Sequence, residues 1–345
     1  MTIELGQKER VLAAVRKSQP DRLPVFCGRI DDLPFWLENF GVSTEKELRA
    51  LWGLDCQKMS YSKIFNIPPD KTIWGCENNW DAGFSSMKKS PLAGVENVAE
   101  VEAHNWPDVS FVNFDEVKRE LSLLNKSHAR IGTIGFQALF CGLCDIFGME
   151  GAMVNMQTEP TLIEAAIEQM RRFLYDTMKR ILDENASEMD FFWMGDDFST
   201  QRGMMISPDL WRKFCKPVYL ELFELVKSYG VMVWFHSCGT FAPVIGELVD
   251  GGMDVWETVQ AHLPGNEPEQ IKQKYGSALS FFGAINCQQT LPFGTTEDVR
   301  REVRDRFRVL GKGGGYIAGP DHSLQGNIPW RNVEALFDEA RKCVY

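Results

Sequence analysis

The sequence predicts a (β/α)8 barrel with N-terminal helical and irregular or hairpin additions covering one end. Three observations lead there. From Ala129 onward, short apolar runs alternate with amphipathic stretches, the pattern of parallel strands joined by right-handed helical crossovers. With the N-terminal strand this makes roughly seven or eight units, which suits a closed barrel of this length. No Gly-x-Gly-x-x-Gly follows the first strand, so a dinucleotide-type open sheet is disfavoured. No linker, short repeat or low-complexity segment divides the chain, and residues 1–345 are read as one domain.

The elements follow from local signals. Glu4–Ser18 carries Val11, Leu12 and Val15 on one helical face and is stopped by Pro20. Arg22–Gly28, RLPVFCG, reads as the first strand, with Arg29 just past it. Asp31–Phe40 and Thr44–Trp52 read as short helices. Asp55–Ser60 and then Thr72–Gly83, with Trp74, Gly75 and Trp80, have few helix formers and read as an irregular or hairpin region, a cover that excludes water from one end of the core. Arg130–Gly135 is a strand, Phe136–Phe147 a helix, and Thr161–Ala186 a long amphipathic helix opened by Pro160. Asp190–Gly195 is a strand. Ser207 caps and Pro208 opens a helix that runs to Tyr229. Val231–Thr240 contains a strand buried on both faces. After it come a helix (Phe241–Asp250), a strand (Met253–Val259), a helix (Pro268–Tyr275) and a strand (Leu279–Ile285). A helix capped by Thr295 or Thr296 (Thr296–Leu310), a strand (Gly315–Gly319) and a last helix (Val333–Cys343) complete the chain.

Composition removes several function classes. Net charge is −11 and no basic stripe is present, which argues against nucleic acid as a partner. No apolar run reaches the ~18–20 residues of a membrane span and no signal core opens the chain, so a cytoplasmic location is expected and no membrane association. The nine cysteines are odd in number and scattered, which reads as thiols and metal ligands rather than a disulfide framework.

Polar residues collect at the predicted strand ends, where barrel active sites lie. They are Arg29, Asp31 and Asp32 after the first strand, then Asp196, Asp197, Gln201 and Arg202, then His236 and Cys238. Gln260 and His262, then Asn286, Cys287 and Gln288, then Asp321, His322 and Gln325 follow the later strands. His236 and Cys238 are two apart on a strand, so both project to one side. An imidazole beside a thiol suits Zn²⁺; it also suits a reactive thiol with its base, or a buried histidine beside an inert cysteine. Asp196-Asp197 is a paired carboxylate able to shuttle a proton or hold a cation, or else a cap paired to Arg202. His322 reads as metal ligand, general acid or core residue. Cys141-x-x-Cys144 puts two thiols on one helix face, where packing is the favoured reading.

Four segments, GDDFSTQRGMMISPDLWRKFCKPVY (195–219), VWFHSCGTFAPVIGELVDGGMDVWETVQ (233–260), FFGAINCQQTLPFGTTEDVR (281–300) and GGGYIAGPDHSLQGNIPWRNVEAL (313–336), resemble the uroporphyrinogen decarboxylase superfamily. The RVLAAVRKSQPDRLPVFCG start (10–28) is similar as well. The resemblance implies a (β/α)8 barrel with its cleft at the strand C-termini. It also implies one of two activities: cofactor-free decarboxylation of a porphyrinogen, or cobalamin-dependent methyl transfer with zinc. The decarboxylase branch carries an arginine-rich stretch after the first strand, and here that place reads CGRIDDL, with Arg29 followed by Asp31 and Asp32. Those two acids repel a substrate with many carboxylates. The methyltransferase branch has His-x-Cys on the middle strand, matched by His236 and Cys238. Its third ligand, a cysteine in a Gly-Cys pair after the last strand, is replaced here by Gly319-Pro320-Asp321-His322, so Cys287 or else His322 is expected to be the third ligand.

The expected function is therefore corrinoid-dependent methyl transfer. A small methylated ether, amine or thioether, or a thiol carrier, would exchange a methyl group with a corrinoid protein, in either direction. Zinc on His236, Cys238 and Cys287 would be the Lewis acid. Asp196, Asp197 and His322 are the candidate catalytic groups, and Arg29, Gln201, Arg202, Gln260 and Asn286 the candidate substrate contacts. A homodimer is expected by analogy with barrels of the superfamily. The alternatives are a metal-independent decarboxylase of a porphyrinogen or other carboxylated substrate, and a catalytically silent barrel that binds a corrinoid or tetrapyrrole.

Overall fold

The computed structural model describes residues 4–81 and 84–345. Seven parallel strands follow one another around the molecule in chain order. They are β1 (Cys56–Lys58), β2 (Ala129–Thr133), β3 (Phe191–Gly195), β4 (Met232–His236), β5 (Met253–Val259), β6 (Ser280–Ile285) and β7 (Tyr316–Pro320). The RLPVFCG segment closes the ring. Val25 bridges Ala318 in parallel. On one side the Phe26 N–H donates to the Ala318 carbonyl at 2.9 Å, and on the other the Asp55 N–H donates to the Val25 carbonyl at 2.8 Å. Pro24 contributes a carbonyl to this seam and has no N–H to give, which keeps the pairing short.

The barrel interior is a packed core, as expected for this architecture. Phe26, Cys56, Ala129, Ile131, Phe191, Trp193, Trp234, Val255, Phe282 and Ile317 point inward, and Val11 and Val15 of the helix Gln7–Val15 seal the N-terminal end. The same helix carries Arg10, which reaches Asp21 at 2.8 Å and the fully buried Asp55 at 2.7 Å. Asp55 also takes Arg22 at 2.9 Å and the Val25 N–H at 2.8 Å. One buried carboxylate thus ties the plug helix, the closing segment and β1 together.

Most elements form where the spacing predicts. Met253–Val259, Pro268–Tyr275 and Thr296–Leu310 have the expected bounds, and Thr295 with Asp298 forms a capping box on the last of these. Three readings need correction. Asp55–Ser60 is not part of an irregular cover, because Cys56–Lys58 is a barrel strand paired with β2. The helix expected from Pro208 to Tyr229 breaks at Cys215 into Pro208–Phe214 and Lys216–Ser228. Trp74 does not cover the cleft: it is buried edge-on against Phe173 of the long helix Pro160–Asn185. The hairpin itself is present, with Glu77–Asp81 antiparallel to Phe84–Lys89. The Trp80 side chain and Gly83 lie outside the described residues. No single helix among the described residues is long and apolar enough to cross a membrane.

Candidate metal centre at the barrel mouth

β4 delivers His236 and Cys238 to the C-terminal mouth, as the two-residue period requires. His236 Nε2 lies 3.3 Å from Cys238 Sγ and 3.6 Å from Asp197 Oδ1. Asp197 follows β3, and its Oδ1 accepts the Cys238 N–H at 2.8 Å. Ligand atoms of Asp197, His236 and Cys238 all lie within 4.8 Å of one another, the one such group of three among the described residues. A tetrahedral zinc with bonds of ~2.0 Å to N or O and ~2.3 Å to S separates its ligand atoms by about 3.3–3.5 Å. Both distances from Nε2 are close to that, so the donor set of one nitrogen, one sulfur and one oxygen fits a zinc ion with a position left for substrate.

The other ring nitrogen is held from β5. His236 Nδ1 lies 2.9 Å from Thr258 Oγ1 and 3.4 Å from Glu257 Oε1. Two consecutive residues reach the same ring because Thr258 is an extra residue against β6: Glu257 pairs with Phe282, and Val259 with Gly283. Thr258 has φ +71°, rare for a β-branched residue. Glu257 is buried and accepts from the Trp193 indole at 2.8 Å and from the Trp234 indole. Burial alone would raise its pKa, but Lys58, His236 and the indole donor hold it below the usual carboxylate value. For the neutral imidazole that a metal requires, the ionised Glu257 favours the proton on Nδ1, which leaves the Nε2 lone pair on the side of Cys238 and Asp197. Burial disfavours the imidazolium, yet Cys238, Glu257 and Asp197 together drive the His236 pKa well up in the metal-free site. Burial pushes the Cys238 thiol up, against the pull of His236.

The family model described as uroporphyrinogen decarboxylase (URO-D) matches residues 75–343. The chain belongs to the uroporphyrinogen decarboxylase family. No curated protein matches its sequence. Among solved structures, a methyltransferase from Methanosarcina mazei is similar over 98% of this chain and 99% of its own, with TM-score 0.73 and 17% identity, and shares the fold. A glycoside hydrolase family 5 enzyme from Prevotella bryantii (TM-score 0.42, 8% identity, 99% of each chain) is too distant to carry an argument.

Within this URO-D barrel the other residues singled out by the sequence fall into distinct places. The acidic pair divides. Asp197 faces the cleft, whereas Asp196 is fully buried, accepting the Phe140 N–H at 2.6 Å, the Cys141 N–H at 3.0 Å and the Tyr219 hydroxyl. Burial raises the Asp196 pKa to about 6 despite these donors. It caps the helix Leu139–Phe147 and has no face on the cleft. Cys287 is not in the ligand group, since its thiol is directed at the His322 carbonyl, 3.6 Å away. Nor is His322: its ring centroid is 6.4 Å from that of His236, and its Nδ1 lies 3.1 Å from Ser323 Oγ. Gln260 is buried and fixes the loop after β4 by accepting the Gly239 N–H at 2.8 Å. Gly239 has φ +82°, and a Cβ there would lie 2.5 Å from the Thr200 carbonyl, so the close approach of the two loops needs glycine. Asn286 accepts from the Gln288 and Gln289 N–H groups at 2.8 and 2.9 Å and shapes its own turn. Gln201 and Arg202 form the exposed tip of a short ribbon, Ser199–Thr200 with Gly203–Met204. Arg29 is exposed and paired with Asp31 at 2.8 Å.

Glu257, Thr258 and Lys58 are the residues at this site that the sequence reading passed over. Glu257 left a signal, an acid inside the apolar run MDVWETV. The bulge that turns Thr258 toward the ring left none.

Proposed function

We propose that this barrel is a zinc-dependent methyltransferase that moves a methyl group between a small methylated compound, or a thiol carrier, and a corrinoid held by a partner protein. The convergence of His236, Cys238 and Asp197 at the mouth carries the reading, and the fold shared with a methyltransferase supports it. Asp197, in place of Cys287 or His322, is the third ligand we assign. Bound zinc supplies Lewis acidity, polarising the methyl-bearing heteroatom or keeping a thiol ionised near neutral pH. The chain's own groups orient and protect this centre. Thr258 and Glu257 fix the imidazole through Nδ1. Phe136 and Trp193 flank the ring, with centroids 5.9 and 5.8 Å away, and exclude water from that side. Gln260 and Gly239 set the loop that carries Cys238.

The decarboxylase reading keeps only Asp197 for proton transfer, because Asp196 lies under a helix, and it lacks an arginine-rich stretch after the first strand, where Arg29 is paired with Asp31. The deciding experiment is metal content by elemental analysis of wild type, Cys238→Ser, Asp197→Ala and Cys287→Ser, followed by assay of methyl ethers, amines and thioethers with a corrinoid acceptor. About one zinc per chain is expected in wild type and in Cys287→Ser, with loss of metal and transfer together in the other two. Transfer that survives in metal-free Cys238→Ser overturns the proposal. Corrinoid binding without turnover would point to the silent barrel.

A further inference from the structure

Lys58 ends β1 on the inward face, beyond Cys56 and beside Ile131. Its Nζ lies 4.4 Å from the centroid of the Trp193 ring, and that ring lies 5.8 Å from the His236 ring. The indole is a spacer between them, so ammonium and imidazole are no further apart than those two vectors laid end to end.

An interior lysine ordinarily has a carboxylate or carbonyls on its ammonium. Here the Glu257 oxygens are already engaged by two indoles and by His236. Among the described residues no acceptor takes a hydrogen bond from Lys58, whose ammonium lies over the Trp193 face and within the field of Glu257. Burial draws its pKa down, the mark of a cation short of compensation. The nearby charges of Arg49 and Arg29 act in the same direction as burial on the Lys58 ammonium. Three N–H donors on a half-buried cation, stacked on an aromatic face near the mouth, are complementary to a small anionic group.

We infer that Lys58 is the anion anchor of the cleft, so that the substrate is a small organic anion whose acidic group sits on the Lys58 ammonium while its reacting end faces Asp197, His236 and Cys238. The inference rests on the reading of that trio as the reacting centre. The short separation across Trp193 limits the substrate to a compact molecule.

The test is isothermal titration at low ionic strength with propionate and its neutral twin propionamide, using wild type, Lys58→Met, Lys58→Gln and the exposed-lysine control Lys126→Met. Wild type and Lys126→Met should bind propionate at least tenfold more tightly than propionamide, and both Lys58 variants should lose that preference. Equal binding of the two probes by wild type, or a preference retained by both Lys58 variants, overturns the anchor. Zinc is measured on the same preparations. A metal-free wild type with a Lys58-dependent preference would sink methyl transfer and leave the anchor standing. A zinc-loaded protein without the preference would do the reverse.

Discussion

Thr258 holds a β-branched side chain at φ +71°, a conformation that costs of order 1–3 kcal/mol, and sets Oγ1 2.9 Å from His236 Nδ1. Strain at that point is useful only if the ring must be aimed. Thr258→Gly should therefore leave the melting temperature unchanged or raised, yet weaken zinc binding about 10–100-fold in a chelator competition, the usual effect of losing a group that orients a ligand. A fall in stability with metal affinity intact would contradict this. The two-residue period made His236 and Cys238 legible in the sequence. The pair Asp196-Asp197 was visible as carboxylates able to hold a cation, but Asp197 was not singled out as the third ligand, because that ligand was sought on the later strands by resemblance. Only the fold shows that the β3 loop lies against the β4 loop, where the Asp197 carboxylate meets the Cys238 N–H.

At the scale of elements, Asp196 and Asp197 separate cleanly. Asp196→Ala strips the acceptor from two helix N–H groups and from Tyr219 in a buried place, and should cost at least about 2 kcal/mol in urea unfolding. Asp197→Ala, half-buried at the mouth, should lose metal, and with chelator present its stability should differ little from that of wild type. The reverse pattern would reassign the pair. Strands of five or more residues were readable from the apolar runs within them, and helices from Pro160, Pro208 and Thr295 at their starts. β1 was not, because three residues with Gln57 and Lys58 among them give no apolar run; Lys58 is inward for the chemistry of the mouth, against the pattern of a core. The break at Cys215 did leave a signal that the reading passed over: Pro217 has no N–H with which to continue the first helix and sits in the first turn of the second.

For the whole molecule, two linkages follow. If zinc binds only the folded chain, zinc at about 100 times its Kd should add about 2.7 kcal/mol of stability, removed by chelator in wild type and absent in Cys238→Ser. A thermal scan with and without chelator reads it. At the sealed end of the barrel, burial lowers the pKa of Lys17 and of Lys272 to about 8. Both amines then hold fewer protons folded than unfolded between pH 8 and about 10.4, so their contribution rises with pH across that window. Relative to Lys272→Met, wild type should gain stability from pH 7 to 10; a constant difference would rule this out. The closing segment carries a different consequence. A hoop closed by two short welds breathes at them, and the deeper weld here is Val25 against Ala318, braced below by Asp55. The amides of Phe26 and Ala318 should exchange with deuterium sooner than those inside β3, β4 and β5. Ile30 bridges Leu324 at the mouth end of the same seam. Each opening would widen the rim beside Arg29 and Lys58, making the ring's own fluctuation, in place of a hinged lid, the gate through which a ligand enters.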